Sequence, residues 1–301
     1  MKASLINNTS AGIQKTRHNK FRLIFQICIA AISNGYIKGF ARGEIFTGKS
    51  KYICLPGMNC YSCPGALASC PIGSLQAVLN SREYKISLYL IGLLAIFGTI
   101  LGRLVCGFLC PFGLIQDLLF KIPFVKKVRR LPGEKGLRWL RFIFLAVFVI
   151  LLPMFVIDIT GLGEPWFCKW ICPVGSLEGG IPLVLLNSAM RGAAGFIFKW
   201  KLVILIITIL SSIIIYRPFC RYVCPLGAIY GLFNKVSFYQ YKIDSTKCTA
   251  CGACQKNCKL DIKVYKNPNS MDCIRCGACR GMCPNHAIES SLTKDYLAGR
   301  L

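Results

Sequence analysis

Histidine is nearly missing from this chain of 301 residues: only His18 and His286 occur. His18 lies in a polar leader and His286 in a cysteine-rich tail, so a haem held by two histidines inside a membrane has no ligands. The run C-x-x-C-H, which attaches haem covalently, is absent as well. Neither G-x-G-x-x-G nor a P-loop is present, which excludes nucleotide sites of those kinds. Acidic residues are scarce. Twelve stand against thirty-seven Lys and Arg, and the net charge is +25. A nucleic-acid reading of that excess needs basic stripes with interleaved aromatics and a binding motif. None is seen, so nucleic acid is not expected as a partner.

Apolar residues make up 54% of the chain and the mean hydropathy is +0.52. That excess points to a membrane protein. The basic surplus then has an ordinary cause, because positive residues are retained on cytoplasmic loops. Nineteen cysteines in such a chain do not describe a secreted disulfide scaffold.

The cysteines of the tail obey one spacing rule twice. Cys248, Cys251, Cys254 and Cys258 form C-x2-C-x2-C-x3-C; Cys273, Cys276, Cys279 and Cys283 repeat it, followed by Pro284. Thiolates so spaced wrap iron–sulfur cubes, and the fourth Cys of each run reaches the other cube. One [4Fe–4S] cluster is therefore expected on Cys248, Cys251, Cys254 and Cys283, and a second on Cys273, Cys276, Cys279 and Cys258. Gly252 and Gly277 let the backbone turn close to sulfide. A zinc ribbon or a disulfide framework is the plainer alternative, but zinc usually takes its four ligands as two pairs. Lys259 stands where such a run usually has Pro.

Ahead of the tail, residues 1–22 form a basic leader. Four spanning helices are expected at 23–37, 86–105, 139–159 and 199–216, with a re-entrant or interfacial helix at 182–197. Lys and Arg counts near the helix ends place the N-terminus, the stretch 103–141 and the tail on the cytoplasmic side. The loops holding Cys54 to Cys70, and Cys168 with Cys172, then fall on the far face. Domain boundaries are expected at 1–22, 23–133, 134–240, 241–290 and 291–301.

The membrane part repeats itself. Cys70-Pro-Ile-Gly-Ser-Leu-Gln76 matches Cys172-Pro-Val-Gly-Ser-Leu-Glu178, and Arg103-x2-Cys106-x3-Cys110-Pro111 matches Arg217-x2-Cys220-x3-Cys224-Pro225. Both halves start inside, so the repeats are parallel, related by a pseudo-twofold axis along the membrane normal. The axis brings Cys106, Cys110, Cys220 and Cys224 together as four thiolates, enough for one inner cluster. An outer cluster draws on Cys60, Cys63, Cys70, Cys168 and Cys172, with Cys54 a further ligand or a spare. Buried thiols, disulfides or a dithiol relay are the alternatives for these sets. Cys28 reads as core. Pro after the second Cys starts a helix well, which puts that Cys at a helix N-terminus, where N–H groups and the dipole favour an anion. Asp158, Glu164 and Glu178, beside Trp166 and Trp170, either accept protons from a quinol or are ordinary interfacial residues. Arg103 and Arg217 offset cluster charge or mark the cytoplasmic end.

With residues 59–76, 166–182, 217–234 and the tail in view, the chain resembles the membrane polyferredoxins. These are typified by the integral-membrane quinol-dehydrogenase subunit of periplasmic nitrate reduction and the C-terminal membrane part of the nitrous-oxide regulatory flavoprotein. The resemblance implies an α-helical protein of the prokaryotic plasma membrane, with two parallel repeats and a C-terminal two-cluster α+β ferredoxin domain. It implies electron transfer between a quinone pool or extracytoplasmic partner and cytoplasmic [4Fe–4S] clusters. A flavoprotein, ferredoxin or terminal reductase is the expected redox partner. The alternative is a redox assembly factor or sensor serving another metalloenzyme.

Overall fold

The computed structural model describes residues 19–80, 88–123, 126–156, 163–192 and 194–292. Its membrane part is two copies of one helical plan. In the first half α1 (19–33) is followed by the short α2 (Ile37–Arg42) and a long loop to α3 (Pro71–Leu79). Then come α4 (Leu88–Leu101), α5 (Leu104–Phe108) and α6 (Pro111–Phe120). The second half runs through α7 (Glu134–Phe155), a π turn at Phe167–Ile171, α8 (Gly175–Leu186), α9 (Ser188–Gly192) and α10 (Phe196–Ile214). It closes with α11 (Pro218–Tyr222) and α12 (Pro225–Phe233).

Helix ends follow from local chemistry. Pro71, Pro111 and Pro225 each occupy a first helical position, and Cys70, Cys110 and Cys224 sit extended just before them. Proline loses nothing there, because that N–H has no intrahelical partner. Gly102 ends α4 in the left-handed region at φ 55°. A side chain at that position would meet Asn234 Oδ1 at 2.7 Å, so glycine is required by space as well as by conformation.

The halves exchange partners. The inner helix of the first half, α6, packs on the long helix α10 of the second, and α12 packs on α4. Phe112 and Phe219 meet edge to face across this seam with centroids 5.3 Å apart.

Only two helices among the described residues, α7 and α10, are long and apolar enough to cross a membrane. Of the four spans expected, the runs at 139–159 and 199–216 are thus matched by long apolar helices, while α1 and α4 each begin at the edge of the described residues. Their described parts are fifteen and fourteen residues, about 22 Å each at 1.5 Å per residue. Gly102 breaks the run read as 86–105, whose first two residues lie outside the described ones. The run read as 182–197 is also broken: α8 ends at Leu186, and Asn187 turns extended. The end of the 139–159 run, including Asp158, lies outside the described residues.

The C-terminal domain is α+β. β1 (Tyr241–Ile243) pairs antiparallel with β2 (Ile288–Ser290), Tyr241 opposite Ser290, and encloses α13 (Ala253–Asn257) and the cysteine turns. It is seated against α7, α12 and the α4–α5 corner by Arg138, Asn234 and Arg275. These bond, respectively, Leu260 O, Cys273 O and Leu101 O.

Candidate functional site

In the tail, Cys248, Cys251, Cys254 and Cys283 line one pocket together with Gly252, Tyr265 and Ile288. Cys251 is exposed. The other four thiols face one another: Cys279 lies within electrostatic range of Cys273, Cys276 and Cys258. Burial, then the neighbouring Cys276, pushes the Cys273 thiol up to about 12. The two turns have one geometry. Gly252 and Gly277 lie at φ 73° and 75°, two residues after Ala250 and Arg275 at 52° and 53°. Such left-handed turns aim successive N–H groups inward, the arrangement that holds anions.

In the membrane part Cys106, Cys110, Cys220 and Cys224 are gathered from both halves. Cys110 lies within range of Cys220 and Cys106, and Cys224 within range of the other three. The guanidinium groups cross the axis to fasten this set. Arg103 donates to Cys220 O at 3.0 Å, and Arg217 donates to Cys106 O. Gly113 and Gly227 leave room for them: a side chain on either would stand 3.0–3.1 Å from the other half's arginine. Gln116 donates to Cys220 Sγ at 3.1 Å, and Gly227 N to Cys224 Sγ at 3.4 Å.

A second set gathers Cys60, Cys70, Cys168 and Cys172. Cys168 lies within range of the other three. All four line a cavity of about 610 Å³ with Cys54, Met58, Lys51 and Lys201. The repeat reappears as a cross-over. Gln76 Nε2 donates to Cys168 Sγ at 3.2 Å, while its counterpart Glu178 accepts from Cys60 N at 2.7 Å. Burial first, then Cys172 and Glu178, pushes Cys60 up to about 12; burial pushes Glu178 up to about 7. Cys63 stands apart, donating to Asn34 Oδ1 at 3.5 Å, and Cys54 donates to Ser74 Oγ at 3.3 Å. Of the carboxylates read near this face, Glu164 is tied to Lys169 beside the stacked Trp166 and Trp170. Cys28 is exposed, contrary to its reading as core.

Among the described residues no three His, Cys, Asp or Glu close on a single metal ion. Thiolates on one zinc stand about 3.8 Å apart, as tetrahedral 2.3 Å bonds require. The donor chemistry of the quartets is all sulfur, with amide N–H groups aimed at several of the sulfurs. It suits a soft, anionic, cluster-sized guest.

A family model described as a 4Fe-4S binding domain matches residues 86–132, 140–181 and 200–242, and a second of the same description matches 268–289. Among curated proteins, the chain is 29% identical over 195 residues to an uncharacterized protein of Methanocaldococcus jannaschii, covering 64% of this chain and 73% of that one. It is 25% identical to the ferredoxin-type protein NapH of Haemophilus influenzae, covering 63% of this chain and 60% of NapH. It is 24% identical to YccM of Escherichia coli, named for a suggested role in electron transport, covering 57% and 45%. The chain belongs to the polyferredoxins. It binds [4Fe–4S] clusters and is an iron–sulfur electron-transport protein. No solved structure matches it.

The polyferredoxin holds its thiol sets in close succession. Ile274, between Cys273 and Cys276, sits on Gly107, between Cys106 and Cys110. A side chain at Gly107 would come within 2.4 Å of Ile274 O. On the other side the loop expected at the far face dips inward. Gly57 abuts Cys110, Met58 Sδ lies 3.2 Å from Cys224 Sγ, and Pro56 O accepts from Tyr230 at 3.1 Å. Tyr230 lies within range of Cys70 and of Cys106, Cys110 and Cys224, so its side chain stands near both membrane sets.

Asp272 went unnoticed in the sequence, because nothing adjacent to Cys273 marks it. It receives Arg138 at 2.5 Å, Arg141 at 2.7 Å and Arg103 at 3.8 Å. Burial would raise its carboxyl; Arg141, Arg103 and Arg138 outweigh that and hold it below the usual range. In the first half the carboxylate is the membrane part's own: Asp117 on α6 receives Arg217 of the other half at 2.6 Å and Arg22 at 2.8 Å. In α12 the residue matching Asp117 is Gly231, against which Met271 O is packed. The ferredoxin domain thus supplies the carboxylate that the second half lacks.

Proposed function

We propose that this polyferredoxin conducts electrons through a prokaryotic plasma membrane, with its N-terminus and ferredoxin domain on the cytoplasmic side. Cys248, Cys251, Cys254 and Cys283 hold one cluster, and Cys258, Cys273, Cys276 and Cys279 hold a second. Cys106, Cys110, Cys220 and Cys224 hold a third, and Cys60, Cys70, Cys168 and Cys172 a fourth. When bound, a [4Fe–4S] cluster supplies one-electron redox chemistry, at potentials from about −700 to +450 mV depending on its surroundings.

The observation that carries the reading is the unbroken succession of thiol quartets. It starts at exposed Cys251, passes the contact of Ile274 with Gly107, continues past Tyr230 and Met58, and ends at the 610 Å³ cavity. The chain's own residues do three jobs along it. Arg103 and Arg217 place positive charge beside the central set and lock the halves together. Gln76 and Gln116 donate to sulfur, which favours the anionic state. Asp272 keeps the ferredoxin domain docked. A cytoplasmic redox protein meets Cys251, and a quinol or extracytoplasmic protein meets the cavity beside Lys51 and Lys201.

The apolar faces of the helices support membrane placement. Phe196, Ile207 and Leu210 on α10 are 72%, 59% and 57% exposed, and Ile24 on α1 is 60% exposed. Surfaces of this kind demand lipid or protein cover. The test is iron and acid-labile sulfide per chain, on protein purified anaerobically in detergent. About sixteen iron atoms are expected, four per cube. About eight would confine clusters to the tail and remove the conducting path.

A further inference from the structure

The junction of the ferredoxin domain with the membrane part holds a cleft of about 960 Å³, remote in chemistry from the thiol sets. Its walls come from both sides: Lys135, Arg141, Trp139 and Phe142 from α7, Lys235 from just after α12, and Lys263 from the ferredoxin domain. The acids in the cleft are already engaged. Glu134 holds Arg138 and Arg221, Asp261 holds Arg130 at 2.5 Å, and Asp272 holds its three arginines. Lys135, Lys235 and Lys263 have no carboxylate partner among the described residues. Arg141, 2% exposed, is turned to Asp272 behind the cleft wall. Three lysines without carboxylate partners lining one cleft ask for an anion.

The anion's other requirement is written along α7. Lys135, Trp139 and Phe142 follow one another at helical spacing, so they share a face. That face changes from cationic to aromatic to the apolar stretch 143–155. Trp139 is 64% exposed. Tryptophan at the mouth of an apolar helix marks the headgroup level of a bilayer, and basic pockets on the cytoplasmic side of membrane helices hold anionic headgroups.

We infer that this cleft binds the phosphate of an anionic phospholipid, with the headgroup between Lys135, Lys235 and Lys263 and an acyl chain along Trp139 and Phe142. The lipid bridges the membrane part and the ferredoxin domain and neutralises lysines that would otherwise repel across the junction. A free phosphate satisfies the lysines but has no use for the aromatic wall. The inference rests on the membrane placement proposed above.

The test uses the cluster-loaded full chain in phosphatidylcholine micelles, titrated with short-chain phosphatidylglycerol and read by native mass spectrometry. Preferential binding of phosphatidylglycerol is expected. In the triple variant Lys135→Ala, Lys235→Ala, Lys263→Ala its apparent affinity should fall about fivefold per lysine removed. The charge-matched control Lys49→Ala, Lys242→Ala, Lys266→Ala should keep it. Retention of binding in the cleft variant overturns the inference, as does an equal loss in the control, which would mean diffuse charge attraction. Occupancy by inorganic phosphate at equal strength, without lipid, overturns the lipid assignment. Iron content is measured on the same samples: a shortfall there counts against the conducting path and leaves the lipid result standing.

Discussion

Replacing Asp272 with Asn should undock the ferredoxin domain. The side chain is 14% exposed and faces three guanidinium groups, at 2.5, 2.7 and 3.8 Å. Of these, Arg103 and Arg141 have side chains only 2% and 3% exposed. Asparagine keeps the shape and one acceptor oxygen but removes the charge. The arginines are then left buried with like neighbours. Breaking a buried pair by neutralising one partner costs about 3–5 kcal/mol, and each 1.4 kcal/mol is about tenfold. The ratio of docked to undocked domain should therefore fall by roughly 100- to 4,000-fold. The assay is hydrogen exchange in the segment 268–276 and at the start of α7, measured on cluster-loaded protein. Faster exchange confined to that seam is expected. Exchange should stay unchanged around α6, where Asp117 holds Arg217 and Arg22 independently. Asp117→Asn should show the converse pattern. Unaltered exchange at the seam in Asp272→Asn would refute the argument that this carboxylate holds the domain, and the remaining bonds from Arg275 and Asn234 would have to suffice.

The other expectations concern the cavity end. Cys63→Ser should keep the full iron count, because Cys63 faces Asn34 and not the quartet; Cys70→Ser and Cys172→Ser should each lose about four iron atoms. Equal loss in all three would put Cys63 back among the ligands. Lys201→Gln removes a cation that donates to Cys168 O at 3.1 Å. It should lower the midpoint potential of one cluster by on the order of 100 mV or less, for a unit charge several ångströms away at an effective dielectric near 20. Redox titration followed by electron paramagnetic resonance reads this, and a rise or no change would argue that Lys201 is not beside a cluster.

Much of this was open in the sequence for definite reasons. The eight tail cysteines follow a spacing that only local chain geometry is needed to interpret, and Gly252 and Gly277 take the left-handed conformation that reading requires. The repeat of Cys-Pro-x-Gly-Ser-Leu and of Arg-x2-Cys-x3-Cys-Pro announced two equivalent halves. Proline's fixed φ set the helix starts at Pro71, Pro111 and Pro225.

Other features depend on residues far apart in the chain, and no local pattern encodes those. Sequence placed Arg103 and Arg217 beside the inner cysteines as charge or boundary markers; the fold crosses each arginine to the other half's carbonyl. The sequence offered five outer cysteines, with Cys54 as a further ligand or a spare; tertiary packing gathers Cys60, Cys70, Cys168 and Cys172 and turns Cys63 towards Asn34. Hydropathy suggested four spans; among the described residues α7 and α10 have the length for one, and Gly102 ends α4 in the left-handed region, because backbone conformation at a single residue decides where a helix stops. Lys259, a departure from the usual proline, lies over the Tyr216 ring at 4.9 Å, a contact made across 43 residues of chain. Asp272 replaces a carboxylate that the second half lacks. That substitution is visible only when Gly231, Met271, Arg103 and Arg141 are seen at one point in space, since the electrostatics of a buried seam are set by what folding brings together.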